Sequence, residues 1–134
     1  MKNGHPMAPI PETTDRIATE IVDAAFAVHR ALGPGLLEGV YETCLCHEMS
    51  KRGLHGERQV ALPICYDGLR LESALRLDLL VENLVIVELK ATEKLLPIHE
   101  AQVLTYLKLS GRRLGFLINF NSTILKNGVR RLAL

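Results

Sequence analysis

Residues 84–91 read LVIVELKA, a run so rich in β-branched and apolar side chains that it fits a central strand covered on both faces. A strand buried in that way needs further layers over it, so the chain must supply helices to flank a sheet. Yet the run also carries Glu88 and Lys90, and the preceding stretch, RLESALRLDLLV (70–81), carries Asp78 near its end. Charges in such places either reach water at the strand ends or converge on something that needs them.

The rest of the chain supplies those layers. In TTDRIATEIVDAAFAVHRAL (13–32), Ile17, Ile21, Ala24, Ala25, Val28 and Leu32 recur at helical intervals behind Thr13 or Thr14 as a cap. The GPG at 33–35 must end that helix. A second helix is expected from about Leu36 to Arg52, with Leu37, Val40, Cys44, Leu45 and Met49 on its apolar side and Gly53 as its stop. The apolar period then falls to that of strands. ERQVALPICY (57–66) and RLESALRLDLLV read as a hairpin about Asp67-Gly68, and Pro63 marks the first as an edge strand. A turn near Glu82-Asn83 leads into LVIVELKA, and Pro97 opens a helix over IHEAQVLTYLKLS that Gly111 closes. RLGFLINF (113–120) is another buried strand, and TILKNGVRRL (123–132) reads as a terminal hairpin about Asn127-Gly128. The order α-α-β-β-β-α-β-(β-β) makes this an α/β chain, a mixed sheet flanked by helices. It forms one domain, 13–134, behind a flexible tail at 1–12.

With 134 residues, 48% of them hydrophobic and none of them Trp, the core is built from Leu, Val, Ile and Ala. No apolar run approaches the ~20 residues that span a bilayer. The opening MKNGHPMAPIPETTD lacks the apolar centre of a signal peptide, so a cytoplasmic protein with no membrane association is expected. Cys44, Cys46 and Cys65 have no paired-ligand spacing and read as free, buried or half-buried thiols in a reducing compartment. The net charge of +1 conceals an asymmetry, for residues 101–134 contain Lys108, Arg112, Arg113, Lys126, Arg130 and Arg131 and no acid. Such a segment is either a set of solvated strand edges and turns or a surface for a phosphate backbone. On the second reading Arg112 and Arg113 are candidate substrate contacts.

Side chains two apart on a strand share a face, so Glu88 and Lys90 point one way and Leu89 the other. Where Asp78 lies depends on one residue of register. A two-residue turn pairing Val81 with Leu84 sets Asp78 against Val87, on the wrong face. A three-residue loop, Glu82-Asn83-Leu84, sets it opposite Glu88. Two adjacent carboxylates in apolar surroundings repel, and a divalent cation with a taste for hard oxygen, Mg²⁺ or Mn²⁺, relieves them far better than one Lys. The plainer alternative is an ion pair of Lys90 with one acid at the sheet end. On the following helix Gln102 and Tyr106 share a face, with His99 one turn earlier. That face either reaches over the strand ends or is an ordinary half-exposed surface. No phosphate-cradling Gly-rich loop and no G-x-S-x-G offers a competing chemistry.

GLLEGVY (35–41) matches G-x-x-E-x-x-Y, and the blocks VHRALGPGLLEGVYE, RLDLLVENLVIVELKA, QVLTYLKLSG and LGFLINFN follow in order. In these blocks, over roughly residues 14–134, the chain resembles the bacterial GxxExxY protein family, which is grouped with the PD-(D/E)XK nucleases. The resemblance implies a restriction-endonuclease-like αβββαβ core with an extra N-terminal helix and a C-terminal β-hairpin. It implies a metal-dependent nuclease that hydrolyses the phosphodiester bonds of DNA or RNA with Mg²⁺ or Mn²⁺. Asp78, Glu88 and the Leu89 carbonyl would be metal ligands, Glu38 a further acid, and Lys90 the group that orients the attacking water. Gln102 and Tyr106 resemble a Q-x-x-x-Y pattern that lines the site and touches substrate or water, while Tyr41 would pack against the site wall. Leu77 stands where that motif commonly has Pro. The mild net charge fits a small or transient substrate, or a homodimeric or other protein partner that supplies binding. The alternative from a different class is a non-catalytic module that keeps the nuclease fold and binds nucleic acid or protein.

Overall fold

The computed structural model of the chain describes residues 8–134. Of the tail expected at 1–12, residues 1–7 lie outside the described residues. Residues 8–11 precede the first helix, and the Ala8 and Pro9 carbonyls accept hydrogen bonds from Arg113. Helix α1 (Glu12–Leu32) buries Ile17, Ile21, Ala24, Ala25 and Val28, as the spacing predicts, with Ala18 beside them, whereas Leu32 at its end is exposed. It begins just before Thr13, and no side chain caps it. It ends where Gly33 and Gly35 take φ of 70° and 101°, a backbone closed to most other residues.

Helix α2 (Glu38–Lys51) starts two residues later than the sequence predicts, and its buried side differs as well. Tyr41, Glu42, Leu45 and Met49 are buried, whereas Leu37 is 79% and Val40 41% exposed. Of the expected apolar side, Leu45 and Met49 are buried and Cys44 half-buried, while Leu37 and Val40 are not. Tyr41, Leu45 and Met49, four residues apart, form the stripe that faces the sheet.

Five strands follow: β1 (Gly56–Tyr66), β2 (Leu69–Val81), β3 (Val85–Lys90), β4 (Leu114–Asn119) and β5 (Val129–Ala133). They form one mixed sheet in the order β1-β2-β3-β4-β5, antiparallel throughout except for the parallel pair β3–β4. Parallel neighbours require a crossover, and helix α3 (Pro97–Ser110) provides it. Pro63 lies on the edge strand, at a register shift between Leu62 and Ile64. The C-terminal hairpin is present, with β4 rather than residues 123–126 as its first arm. Asn127-Gly128 belongs to a single turn of 3-10 helix, Leu125–Gly128, that leads into β5.

The sheet separates two cores. On one face Leu79, Val81, Val85, Val87, Leu89, Phe116 and Ile118 pack with α1 and α2. On the other, Leu77, Leu80, Ile86 and Leu117 pack with Val103 and Leu107 of α3. Gly115 lets α3 approach, since a Cβ there would stand 3.0 Å from Val103 Cγ1 and 3.3 Å from the Ile86 carbonyl. Cys44 and Cys46 are half-buried free thiols; Cys65 is exposed, near the tip of the β1–β2 hairpin. Among the described residues no helix is long and apolar enough to cross a membrane.

Candidate active site

The register question resolves in favour of the three-residue loop. Val81 pairs with Val85, Leu80 with Ile86 and Leu79 with Val87, so the next position sets Asp78 opposite Glu88. Regular pairing stops there, and carboxylates take over the rungs. The Asp78 amide donates to Glu88 Oε2 at 2.8 Å, and the Leu89 amide donates to Asp78 Oδ2 at 2.9 Å. The alternation of β2 changes phase at the same point, for Leu77 packs on the α3 side with Leu80 while Leu79 and Val81 face α1 and α2. The two strands thus splay around a pair of acids. The Leu89 carbonyl, which points to the same side of β3 as its amide, faces the splay too.

Glu38 enters from α2. It is the first residue of that helix, and the loop before it is fixed by Tyr41. The Tyr41 hydroxyl donates to the Gly33 carbonyl at 2.6 Å and accepts from the Leu36 amide at 3.1 Å. Its ring stacks on Phe120, with centroids 4.7 Å apart and planes 8° from parallel. The Phe120 amide in turn donates to the Lys90 carbonyl at 2.9 Å. Tyr41 therefore does more than pack: with Phe120 it ties the start of α2 to the end of β3, bringing Glu38 to the acids and Lys90.

Electrostatics carry the mark of that convergence. Glu88 is 4% exposed, and its pKa is pushed from 4.5 to about 8, by burial first and then by the Asp78 charge, with Lys90 opposing. Burial raises Asp78 as well, against the Leu89 amide and Lys90, which lower it. Glu38 is raised by burial and by Asp78, and lowered by Lys90. From α3, Tyr106 is raised by burial and by the charges of Glu88 and Asp78, while the Gln102 side chain lowers it. Gln102 and Tyr106 thus belong to the same neighbourhood. His99 does not; its Nδ1 accepts from the Leu96 amide at 3.0 Å and so caps α3.

Among the described residues no group of three His, Cys, Asp or Glu side chains is drawn close enough to hold a metal ion as it stands. The donor set nevertheless suits a hard divalent cation. Asp78 and Glu88 each accept a backbone amide on one oxygen, and their shared burial concentrates negative charge that a cation would offset.

Arg112 and Arg113, expected as substrate contacts, are not brought to this site. They precede β4, whose first residue pairs with Val85, at the opposite end of β3 from Lys90. Arg112 donates to the Asn83 and Ser110 carbonyls, and Arg113 to those of Leu134, Pro9 and Ala8. Arginines next to a strand start in sequence can lie at either end of a parallel pair, and the crossover sends these to the far one.

Glu42 escaped the sequence reading. It is 7% exposed and accepts from Arg58 and Gln59 of β1. Its signal was its place one turn after Glu38 and three residues before Leu45, which sets it on the face they share.

No curated protein matches the chain. The crystal structure of SSO0001 is similar at 20% identity and a TM-score of 0.49, over 91% of this chain and 61% of that one, so the chain spans less than two thirds of its length. A family model described as the PD-(D/E)XK nuclease superfamily matches residues 15–132. Its αβββαβ core and a family match over nearly the whole chain show that the protein belongs to the PD-(D/E)XK nuclease superfamily.

Proposed function

We propose that the chain is a Mg²⁺- or Mn²⁺-dependent nuclease that hydrolyses phosphodiester bonds in DNA or RNA, of the GxxExxY kind that residues 35–41 resemble. One observation carries this reading: Asp78 and Glu88 face each other in the splay between β2 and β3, buried enough to hold the Glu88 proton up to about pH 8. Two acids so placed suit a cation better than each other. Asp78, Glu88, Glu38 and the Leu89 carbonyl are the residues that would hold it. The bound cation would supply charge withdrawal from the phosphate and an acidified water.

The chain's own groups do the rest. The Lys90 charge acts on all three acids, and its ammonium orients the attacking water and offsets charge growing on the phosphate oxygens. Gln102 and Tyr106 hydrogen-bond the nucleic acid or the water in this reading, supported by the effect of the Glu88 and Asp78 charges on the Tyr106 hydroxyl. Burial on both faces of β3 excludes bulk water and strengthens each of these interactions.

Calorimetric titration with Mn²⁺ and Mg²⁺, on wild type and Glu88→Ala, tests the reading together with cleavage of labelled single- and double-stranded DNA and RNA. Metal binding lost in the variant, with metal-dependent cleavage by the wild type, is the expected result. Binding without cleavage would favour a nuclease-fold binding module. No binding at millimolar Mn²⁺ would overturn the site.

A further inference from the structure

On the side of Asp78 away from β3, the edge strand makes contacts that the acid-and-lysine motif does not include. The β1–β2 ladder pairs Arg58 with Leu79 and Val60 with Leu77, but omits Gln59 and Asp78, which stand opposite one another between those rungs. Gln59 has a left-handed backbone, φ 51°, that residues other than glycine seldom adopt. Its side-chain Nε2 donates to Glu42 Oε1 at 2.8 Å. The other Glu42 oxygen accepts from Arg58 Nε at 3.0 Å and lies 2.9 Å from its Nη2. Arg58 Nη2 also donates to Thr43 Oγ1 at 3.1 Å. These contacts tie α2, one turn beyond Glu38, to the break in β1. Gln59 itself is exposed, so packing does not explain its strained backbone. The Gln59 side-chain amide bonds Glu42 and opposes the effect of burial on Asp78, the residue across the ladder from it.

We infer that Gln59, held by the Glu42 carboxylate that Arg58 also grips, is a positioning residue that keeps the Asp78 carboxylate in the splay facing Glu88. Its meaning for catalysis rests on the nuclease reading, but the placement has a readout of its own. Asp78 Oδ2 accepts the Leu89 amide at 2.9 Å, so the resonance of that amide, and its exchange with solvent, follow the carboxylate.

The test compares wild type, Gln59→Gly and Gln59→Ala by amide NMR, thermal melting and Mn²⁺ calorimetry. Glycine relieves the left-handed backbone and alanine does not, so stability diverges between the variants although both lose the side-chain amide. In both, the Leu89 amide is expected to shift and exchange faster, and Mn²⁺ affinity to fall by about tenfold or more, as for other supports of metal ligands. Glu42→Gln, which keeps the volume, should move the Leu89 amide in the same direction. An unchanged Leu89 amide in Gln59→Gly overturns the inference whether or not the protein binds metal. So does an amide that tracks stability, perturbed in the alanine variant alone. Displacement in both variants, with no Mn²⁺ binding by wild type, upholds the positioning and sinks the nuclease reading.

Discussion

Replacing Glu88 with Gln should stabilise the protein, and increasingly so as the solution becomes alkaline. In the unfolded chain this carboxyl ionises near 4.5; in the folded chain burial and Asp78 hold its proton up to about 8. Between those values the folded state binds more protons than the unfolded one, so stability falls as pH rises through that window. At about 1.4 kcal/mol per pH unit, the whole window costs on the order of 5 kcal/mol. That is a large share of the ~5–15 kcal/mol that holds a typical domain together. Glutamine keeps the size of the side chain and an oxygen for the Asp78 amide, now 2.8 Å from Glu88 Oε2, but has no proton to lose. Urea unfolding across pH 5 to 8 measures the difference. The variant should match wild type to within ~1 kcal/mol at the acid end and exceed it by several kcal/mol at the alkaline end. Saturating Mn²⁺ at pH 8 should close the gap from the wild-type side, because it favours the ionised carboxylate of the folded state. A gap that stays flat across the whole range would refute the reasoning, since Glu88 would then titrate alike folded and unfolded.

Three further outcomes are expected. Tyr41→Phe keeps the stack on Phe120 but strands the Leu36 amide and Gly33 carbonyl; it should cost about 1–3 kcal/mol in chemical denaturation and weaken Mn²⁺ binding through Glu38, and an unaltered midpoint would show that the hydroxyl holds nothing. Gly115→Ala should push α3 off the sheet, because the new Cβ meets Val103 Cγ1 at 3.0 Å. The expected loss is about 1–3 kcal/mol, with cleavage reduced as Gln102 and Tyr106 move; a thermal melt identical to wild type would count against the packing described. Lys90→Ala should leave Mn²⁺ affinity within a few-fold of wild type while abolishing cleavage, and substantial turnover in that variant would remove Lys90 from the chemistry.

The sequence by itself determined the order of elements through β4, because period, Gly and Pro are local signals, but not the terminal segment, where a 3-10 turn replaces the first arm of the expected hairpin. GPG had to end α1, Asp67-Gly68 had to turn a hairpin, and LVIVELKA had to be central. The motif residues were legible for the same reason: Glu88 and Lys90 share a face by strand geometry alone, and Gln102 and Tyr106 by helix geometry. Other features depended on tertiary contacts. The buried side of α2 was legible at Leu45 and Met49 but not at Tyr41 and Glu42, which are polar by type and are buried by Phe120, Arg58 and Gln59, residues from other elements. Asp78 could have faced Glu88 or Val87, and only the packing of β2 against two opposed cores selects the three-residue loop. Arg112 and Arg113 looked like substrate contacts from charge alone, yet the α3 crossover carries them to the end of the sheet away from the acids. Local patterns state what each segment can become; which side chains share a site depends on register and crossover, and those are settled when non-local surfaces compete for burial.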